Sequence, residues 1–396
     1  MAAHAVRRFP EGFTWGTATA AHQIEGGNAN NDWWEFEHAP DTVCAEPSGD
    51  ACDSWDRWRE DVELVASLGL DNYRFSVEWS RIEPAEGEFS RAALAHYREL
   101  CAALRDRGID PVVTLHHFTT PRWLTDQGGW ESGAAVERFG RFSEVVAGAL
   151  GDVMSRACTI NEPNVVAVMG WMAGMFPPGK TDKDQSRAVA QNLIAGHRVA
   201  VEAVRGAAPG VPVGLTLSMT DYQLLEGGEA KLESRRHHSE DVFLDGTGGD
   251  DFLGVQVYTR NRIGPNGWAG AEPGVPVLDM GYEFYPASLA NCLRRAWDYT
   301  GGSLPLLVTE NGIGTTDDVQ RIDYVRQALD GVLDVIAEGI DVRGYTYWSL
   351  LDNFEWALGY RPRFGLVSVD RASFARTPKP SAAWFSSVAA ANALDA

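Results

Sequence analysis

Eight short apolar segments alternate along this chain with longer segments of helical periodicity, and this alternation constrains the fold more than any other feature. Short runs rich in β-branched and aromatic residues predict buried strands. Where such runs alternate with amphipathic helices, the chain forms βα units that assemble into a parallel sheet. The predicted strands span residues 13–18, 72–77, 111–115, 157–161, 213–217, 252–258, 306–310 and 344–349.

The segments between the strands carry apolar residues at steps of three and four, which predicts helices that pack one face on the sheet. In segment 53–69 this stripe consists of Trp55, Trp58, Val62, Val65 and Leu68. The segment 220–251 is the weakest unit, because its glycine-rich end makes a helix uncertain. The predicted helices span residues 53–69, 90–107, 134–150, 185–208, 285–299 and 321–338.

No linker, low-complexity tract or charge block interrupts the eight units. An α/β chain with eight βα units and nothing left over for a second domain favours a closed (β/α)8 TIM barrel over an open, doubly wound sheet. The sequence therefore predicts one barrel domain over residues 1–396. In such a barrel the active site lies at the C-terminal ends of the strands.

Two of the predicted strands end in the same way, with a glutamate at the end of the apolar run or directly after it. Glu310 ends the apolar run 306–310, and Glu162 follows the run 157–161. A single acid at a strand end is most simply read as a helix cap or a loop ion pair, but two of them at one barrel rim form a candidate catalytic pair. Only closure of the barrel could bring the two carboxylates together.

The charge balance narrows the classes of partner. The chain has 34 basic and 55 acidic residues and a formal net charge of −21. Such a balance repels nucleic-acid backbones and anionic lipid surfaces, so neither is expected as a partner. Arg7 and Arg8 are followed by no apolar segment of the kind found in signal peptides, which favours a cytoplasmic protein. The sequence gives no indication of oligomeric state.

Cysteines and histidines give no metal or disulfide signature. The five cysteines are scattered without a C-x-x-C pair. Cys44 and Cys52 share one loop and could pair, although two ordinary thiols are the simpler interpretation in a reducing compartment. His116 and His117 are adjacent on a strand, so their side chains point to opposite faces and do not form a metal pair. No metal and no cofactor are expected.

The remaining strand ends are rich in groups suited to binding a sugar. Sugars present pairs of hydroxyl groups and apolar C–H faces, so their sites combine bidentate polar side chains with flat aromatic rings. Glu355 next to Trp356, with Trp348 shortly before them, supplies that mixture. Two carboxylates that flank a glycosidic bond would then provide a general acid and either a nucleophile or a base.

Five strings make the chain resemble glycoside hydrolase family 1, the retaining β-glucosidase family, over nearly its whole length. The string FPEGFTWGTATAAHQIEG at 9–26 is similar to the N-terminal signature of the family. The other four strings are TLHHF at 114–118, TINEP at 159–163, VTENG at 308–312 and YWSLLDNFEW at 347–356.

The resemblance implies a role for each matched residue. Glu162 would be the acid/base, and Glu310 would be the nucleophile. Arg74 and Tyr258 match positions that hydrogen-bond the nucleophile and keep it ionised. The residues implied to bind the sugar are Gln23, His117, Asn161, Tyr258, Trp348, Glu355 and Trp356. The expected activity is therefore exo-acting hydrolysis of β-glucosides by double displacement, with some tolerance for β-galactosides or β-fucosides.

The chain departs from the family pattern in three respects. Gln256 and Val257 precede Tyr258 where the family often has Asn-Tyr, Phe118 replaces a common Trp, and the chain is shorter than many members. The alternatives are glycosyl transfer to an alcohol from the same site and a catalytically silent sugar-binding protein. A phospho-β-glucosidase is a weaker alternative, because Glu355 would repel a 6-phosphate.

Overall fold

A closed barrel of eight parallel strands lies at the centre of the computed structural model, which describes residues 6–394. Strands that are neighbours in the chain are neighbours in the barrel, and the last strand closes onto the first with Tyr345 opposite Trp15. The predicted (β/α)8 barrel is therefore confirmed. The barrel strands are Thr14–Ala18, Asn72–Ser76, Asp110–His116, Arg156–Asn161, Val213–Ser218, Phe252–Gln256, Leu306–Asn311 and Val342–Trp348.

The second barrel strand shows how the sequence assigns side chains to the two faces. All residues of Asn72–Ser76 are buried, because helices cover the outside of the barrel and side chains fill its inside. Successive side chains point to opposite faces of a strand. Tyr73 and Phe75 share one face, with ring centroids 5.6 Å apart, whereas Arg74 between them reaches Glu310 of the seventh barrel strand. The alternation thus places one cation inside the barrel.

Helices surround the barrel close to the positions predicted from periodicity. Ala134–Leu150 coincides with its prediction, and Ser54–Ser67 and Arg91–Arg105 are shorter than predicted by a few residues. The remaining α-helices are Ala21–Ile24, Asp32–Glu37, Trp79–Ile82, Arg122–Thr125, Pro163–Trp171, Lys183–Ala207, Glu229–Arg236, Val242–Leu244, Ser288–Tyr299, Asp318–Ala337 and Pro380–Ala391. Short 3-10 turns occur at Gly129–Glu131, Asp245–Thr247 and Trp356–Leu358, and a π-helical turn at His237–Asp241.

The sixth barrel strand ends at Gln256, two residues before the predicted end. The Val257 amide still donates to the Glu310 carbonyl at 3.2 Å, and the chain then leaves the barrel. It continues into Arg260–Gly264, which pairs with Asp221–Leu224 in a small sheet completed by Gly267–Trp268. Tyr258 therefore lies on a loop and not on the strand.

The segment 220–251 forms no single helix, in agreement with its glycine-rich sequence. It contains Asp221–Leu224, then Glu229–Arg236, and then the π-helical turn His237–Asp241. Val242–Leu244 and Asp245–Thr247 complete it before the sixth barrel strand begins. These elements follow the C-terminal end of the fifth strand, so they help to build the rim around the barrel mouth.

The two ends of the described chain meet at the opposite side of the barrel. Arg7–Arg8 pairs antiparallel with Ala393–Leu394. A separate two-stranded antiparallel sheet consists of Val367–Val369 and Arg376–Pro378. The helix Pro380–Ala391 was not predicted.

No helix among residues 6–394 is both long and apolar enough to cross a membrane. The organisation of residues 1–396 as one domain stays a prediction.

Candidate active site

Both candidate carboxylates lie at the mouth of the barrel. Glu310 is the penultimate residue of the strand Leu306–Asn311. Glu162 directly follows Arg156–Asn161 and caps the helix Pro163–Trp171 in a left-handed conformation, with φ of 44°. A non-glycine residue in this region is strained, and such strain tends to occur where a side chain must be aimed. The side chains of Glu162 and Glu310 line the same cavity.

Two hydrogen bonds hold the carboxylate of Glu310. Arg74 Nη1 donates to Oε1 at 2.6 Å, and the Tyr258 hydroxyl donates to Oε2 at 2.6 Å. Arg74 is itself fixed, because its Nε donates to Thr114 Oγ1 at 3.0 Å. Both Arg74 and Glu310 are buried, so this ion pair is shielded from screening by solvent. The arrangement favours the ionised form of Glu310.

The two carboxyl groups differ in their preferred protonation. Burial and the nearby charge of Glu310 hold the pKa of Glu162 well above its usual range. Burial also raises the pKa of Glu310, but the Arg74 guanidinium and the Tyr258 hydroxyl oppose that rise. Glu162 Oε1 accepts no hydrogen bond from the described residues. Glu310 therefore loses its proton first, and Glu162 keeps its proton beside it.

A cavity of about 480 Å³ contains most of the predicted site residues. Arg74 and Gln23 do not line it, because each lies behind a carboxylate that does. The hydroxyls and rings of a monosaccharide fit a cavity whose wall mixes carboxylates with aromatic side chains. The predicted residues in its wall are His117, Asn161, Glu162, Tyr258, Glu310, Trp348, Glu355 and Trp356.

One end of the cavity is formed by the loop that follows the eighth barrel strand. Gln23 Nε2 donates to Glu355 Oε2 at 3.3 Å and to the Phe354 carbonyl at 2.8 Å, which positions Glu355 at the wall. Burial raises the pKa of Glu355 to about 8, and the charge of Glu310 adds to the rise. Trp356 begins a 3-10 turn with φ of 51°. The loop therefore presents an acid beside a flat ring.

His117 and Asn161 belong to one buried polar network at the floor of the cavity. Asn161 Nδ2 lies 3.1 Å from His117 Nε2, and Asn161 Oδ1 accepts from Gln256 Nε2 at 2.9 Å. Burial, together with Arg74 and His116, holds the pKa of His117 well below its usual range, so the ring is neutral. Gln256 stands where the family often has Asn, and here it supports Asn161 from below the cavity.

Several wall residues had no signal in the sequence. Ser218 lies in the cavity wall with Glu162, and its position directly after the predicted strand 213–217 was its only indication in the sequence. Met280 and Tyr282 come from the long loop before the helix Ser288–Tyr299, where no periodicity predicts a position. These residues reach the cavity through tertiary folding of the loop alone.

A second cavity, of about 500 Å³, lies at the opposite end of the barrel. Residues at the beginnings of strands line it, including Arg156, Phe252 and Leu307. Among residues 6–394, Asp251 is its only carboxylate, so this part of the chain gives it no pair of acids like that of the first cavity. The paired carboxyl groups therefore distinguish the cavity at the mouth, which holds Glu162 and Glu310, from this second cavity.

Comparison with known proteins identifies the family of this chain. The family model described as glycosyl hydrolase family 1 matches residues 5–248 and 251–394. β-Glucosidase A of Thermotoga maritima is 32% identical over 98% of this chain and 99% of that protein. The β-glucosidase of an Agrobacterium species is 33% identical over 96% of this chain and 95% of that protein.

Solved structures show the same barrel. The β-glycosidase BGL167 superposes with a TM-score of 0.91 at 45% identity, covering 96% of this chain and 97% of that chain. The Thermotoga maritima β-glucosidase in complex with glucoimidazole gives a TM-score of 0.92 at 30% identity, over 97% of this chain and 99% of that chain. With the family match spanning nearly all described residues, the chain belongs to glycosyl hydrolase family 1 and is a glycoside hydrolase.

Proposed function

We propose that this protein is a retaining, exo-acting β-glycosidase that removes terminal non-reducing β-D-glucosyl residues and tolerates β-galactosides or β-fucosides. The observation that carries the proposal is the pair of buried carboxyl groups in one cavity. Glu310 forms an ion pair with Arg74, whereas Glu162 forms no ion pair among the described residues. Retaining glycosidases need one ionised and one protonated carboxyl group beside the scissile bond. Relatives named as β-glucosidases support glucose as the preferred sugar.

In the first step the Glu310 carboxylate attacks the anomeric carbon from the side opposite the leaving group. Glu162 donates its proton to the glycosidic oxygen as the bond between carbon and oxygen breaks. The aglycone leaves as a neutral alcohol, and the sugar becomes an ester of Glu310. Arg74 and Tyr258 orient the attacking carboxylate, and their hydrogen bonds favour its ionised form against the effect of burial.

In the second step water replaces the ester, and Glu162 changes its role. Esterification of Glu310 removes the negative charge that helps to raise the pKa of Glu162. The proton of Glu162 has already left with the aglycone, so the group is a carboxylate that can accept a proton from water. Hydroxide character develops at the water as it attacks the anomeric carbon, and Glu310 is released. Two inversions give net retention.

The sugar is held by side chains around the cavity. We assign hydrogen bonding to sugar hydroxyls to His117, Asn161 and Glu355 in the cavity wall. We also assign it to Gln23, which lies behind Glu355 but whose Oε1 accepts no hydrogen bond from the described residues. Stacking on the sugar ring is assigned to Trp348 and Trp356. Asn161 Nδ2 can only donate to His117 Nε2, so the neutral ring of His117 carries its proton on Nδ1 and can donate it to a sugar hydroxyl. Because the two carboxylates supply the acid, the base and the nucleophile, we propose a reaction without a metal or cofactor.

The pH dependence of kcat/KM is expected to report the two carboxyl groups. Activity should fall at low pH as Glu310 is protonated, and at high pH as Glu162 loses its proton. Tyr258→Phe removes a hydrogen bond to the charged form of Glu310, so we expect the acidic limb to move up by about one pH unit. Tyr299→Phe is the control, since its hydroxyl bonds Asp245 and not the site. An acidic limb that stays unmoved in Tyr258→Phe would contradict the assignment.

A panel of aryl β-glycosides tests the proposed specificity. We expect the highest kcat/KM with 4-nitrophenyl β-glucoside, lower values with the β-galactoside and β-fucoside, and no turnover of the α-glucoside. We also expect a large preference for glucoside over its 6-phosphate, because Glu355 would repel the phosphate. Turnover of the 6-phosphate alone, or sugar binding without release of nitrophenol, would contradict the proposal. The relatives reported above give no support to a transferase or a silent binding protein.

We further propose a cytoplasmic location. All five cysteines are free thiols, Cys44 and Cys52 included, as is typical of a reducing compartment. If this is correct, the activity should stay with the cell contents on fractionation of the native host. Recovery in the culture medium would contradict it.

A further inference from the structure

A second large cavity adjoins the active-site cavity. It has a volume of about 510 Å³, and Val168, Arg235 and Ser239 line both cavities. We call it the basic cavity. Its wall comes mainly from the helices Pro163–Trp171, Lys183–Ala207 and Glu229–Arg236 and the π-helical turn. The ionisable residues in this wall are Lys183, Arg187, Lys231, Arg235, His237 and His238.

The charge of the basic cavity is opposite to that of the molecule. The chain has a net charge of −21 and only four lysines, and two of these lysines line the basic cavity. No aspartate or glutamate lies in the wall among the described residues. Asp184, Glu229 and Glu233, which lie on the same helices, do not line the cavity. Such a concentration of one sign in a concave surface attracts the opposite charge.

Most of these cations have no carboxylate partner within the protein. Within residues 6–394, lysine forms ion pairs only at Lys180 and Lys379, so Lys183 and Lys231 have none. Arg187 pairs with Asp184 at 3.1 Å, but both side chains are exposed, and such a pair contributes little. Clustered cations without partners repel one another, and an anion bound among them would relieve that repulsion.

The position of the basic cavity relative to Glu162 identifies the part of a substrate that would reach it. Glu162 caps the helix Pro163–Trp171, and Val168 lies six residues further on, roughly 9 Å along the axis. In the proposed mechanism Glu162 protonates the leaving oxygen, so the aglycone departs on this side. Gln23, His117, Glu355 and Trp356, which we assign to the sugar, do not line the basic cavity.

From this geometry we propose that the basic cavity is an aglycone subsite for β-glycosides whose aglycone carries a carboxylate or a similar anion. The inference rests on the function proposed above and specifies its substrate class. A phenolic aglycone with a short carboxylate chain spans roughly 8 Å from its glycosidic oxygen to the carboxylate, by ordinary bond lengths. That length is close to the roughly 9 Å of helix axis between Glu162 and Val168, which lies at the boundary between the cavities.

The test compares two substrates that differ only in charge. The β-glucoside of 3-(4-hydroxyphenyl)propanoate and that of the corresponding propanamide have leaving groups of similar acidity, because two methylene groups separate the charge from the ring. We expect the acid to exceed the amide in kcat/KM by about tenfold at low ionic strength, ~1.4 kcal/mol. Salt at 0.5 M should reduce this ratio several-fold.

Variants connect the preference to the basic cavity. The double variant K231Q/R235Q is expected to bring the ratio of acid to amide to about one. R8Q/R91Q is the matched control, since it also removes two positive charges from exposed side chains, lies outside both cavities, and should keep the ratio. Free 3-(4-hydroxyphenyl)propanoate is also added to a reaction with the propanamide glucoside. If it activates hydrolysis of that substrate, the basic cavity binds anions as a separate site and not as part of the substrate site.

Each outcome decides the proposal. A ratio near one in the wild type, or a preference that persists in K231Q/R235Q, would overturn it. Activation of amide hydrolysis by free propanoate, without a preference for the acid, would assign the basic cavity to an effector and would also overturn it. If 4-nitrophenyl β-glucoside is still hydrolysed in these cases, only the proposed aglycone subsite is contradicted. If no β-glucoside is hydrolysed at all, the proposed β-glycosidase function is contradicted as well.

Discussion

Replacing Glu310 with alanine is expected to lower kcat/KM for an aryl β-glucoside by at least about 10⁴-fold, ~5.4 kcal/mol in transition-state stabilisation. The substitution removes the atom that bonds to the anomeric carbon, so no glycosyl ester can form. It also leaves the Arg74 guanidinium buried without its partner at 2.6 Å. We therefore expect lower thermal stability as well, because an uncompensated buried charge is costly.

Sodium azide should restore turnover of 2,4-dinitrophenyl β-glucoside by Glu310→Ala. Azide is a small anion that can occupy the space left by the carboxylate, beside Arg74 and Tyr258. Its attack is a single displacement with inversion, so the product should be the α-glucosyl azide. Product configuration can be read from the coupling constant of the anomeric proton. Glu226→Ala, which changes an exposed glutamate outside the cavity, is the control and should keep wild-type activity.

Three results would contradict the role of Glu310. Activity of Glu310→Ala within tenfold of the wild type would show that the residue is not the nucleophile. A β-glucosyl azide would assign it to the acid/base step. Absence of rescue, in a variant whose circular dichroism spectrum shows a folded barrel, would also contradict the account.

Replacing Glu162 with alanine is expected to have an effect that depends on the leaving group. Phenyl β-glucoside needs a proton on its departing oxygen, so its kcat/KM should fall by about 10²- to 10⁴-fold. 2,4-Dinitrophenolate leaves without a proton, so its first step should slow by less than about tenfold. The second step then limits turnover, because no base activates water. Stopped-flow measurement of dinitrophenolate release should therefore show a burst.

Azide distinguishes the two carboxyl groups by the configuration of the product. In Glu162→Ala it replaces water in the second step without needing a base, so the product should be the β-glucosyl azide. Glu162→Gln is a more conservative substitution at the same position. It should also remove the alkaline limb of the pH profile for the dinitrophenyl substrate. An equal loss on both substrates, or an α-configured azide, would contradict the assignment of Glu162 as acid/base.

The sequence predicted the barrel because the period of its apolar residues changes between strand and helix in each unit. All eight predicted strands overlap barrel strands, and the helix Ala134–Leu150 has its predicted bounds. Local patterns determine this much of the fold, since a buried parallel strand must be apolar on both faces. The strand ends that carry Glu162 and Glu310 could therefore be recognised from short strings.

Long-range packing determined what the sequence did not predict. Tyr258 was expected on a strand, but the chain leaves the barrel after Gln256, and this exit lets the hydroxyl reach Glu310. The basic cavity joins residues from four separate segments, within 167–172, 183–191, 231–242 and 263–267. No local sequence pattern predicts that these segments come together, because their contact depends on how the loops fold over the barrel mouth.

The central claim is that Glu310 becomes covalently bound to the sugar. Incubation with 2-deoxy-2-fluoro-β-D-glucosyl fluoride should trap this ester. The fluorine at C2 slows both steps because it destabilises their oxocarbenium-like transition states, whereas the good fluoride leaving group keeps the first step fast enough for the ester to accumulate. Intact-mass spectrometry should show one fluoroglucosyl group per chain, and peptide mapping should locate it on Glu310. Glu310→Ala should gain no mass. An adduct on another carboxylate, or hydrolysis of the reagent without any adduct, would contradict the account.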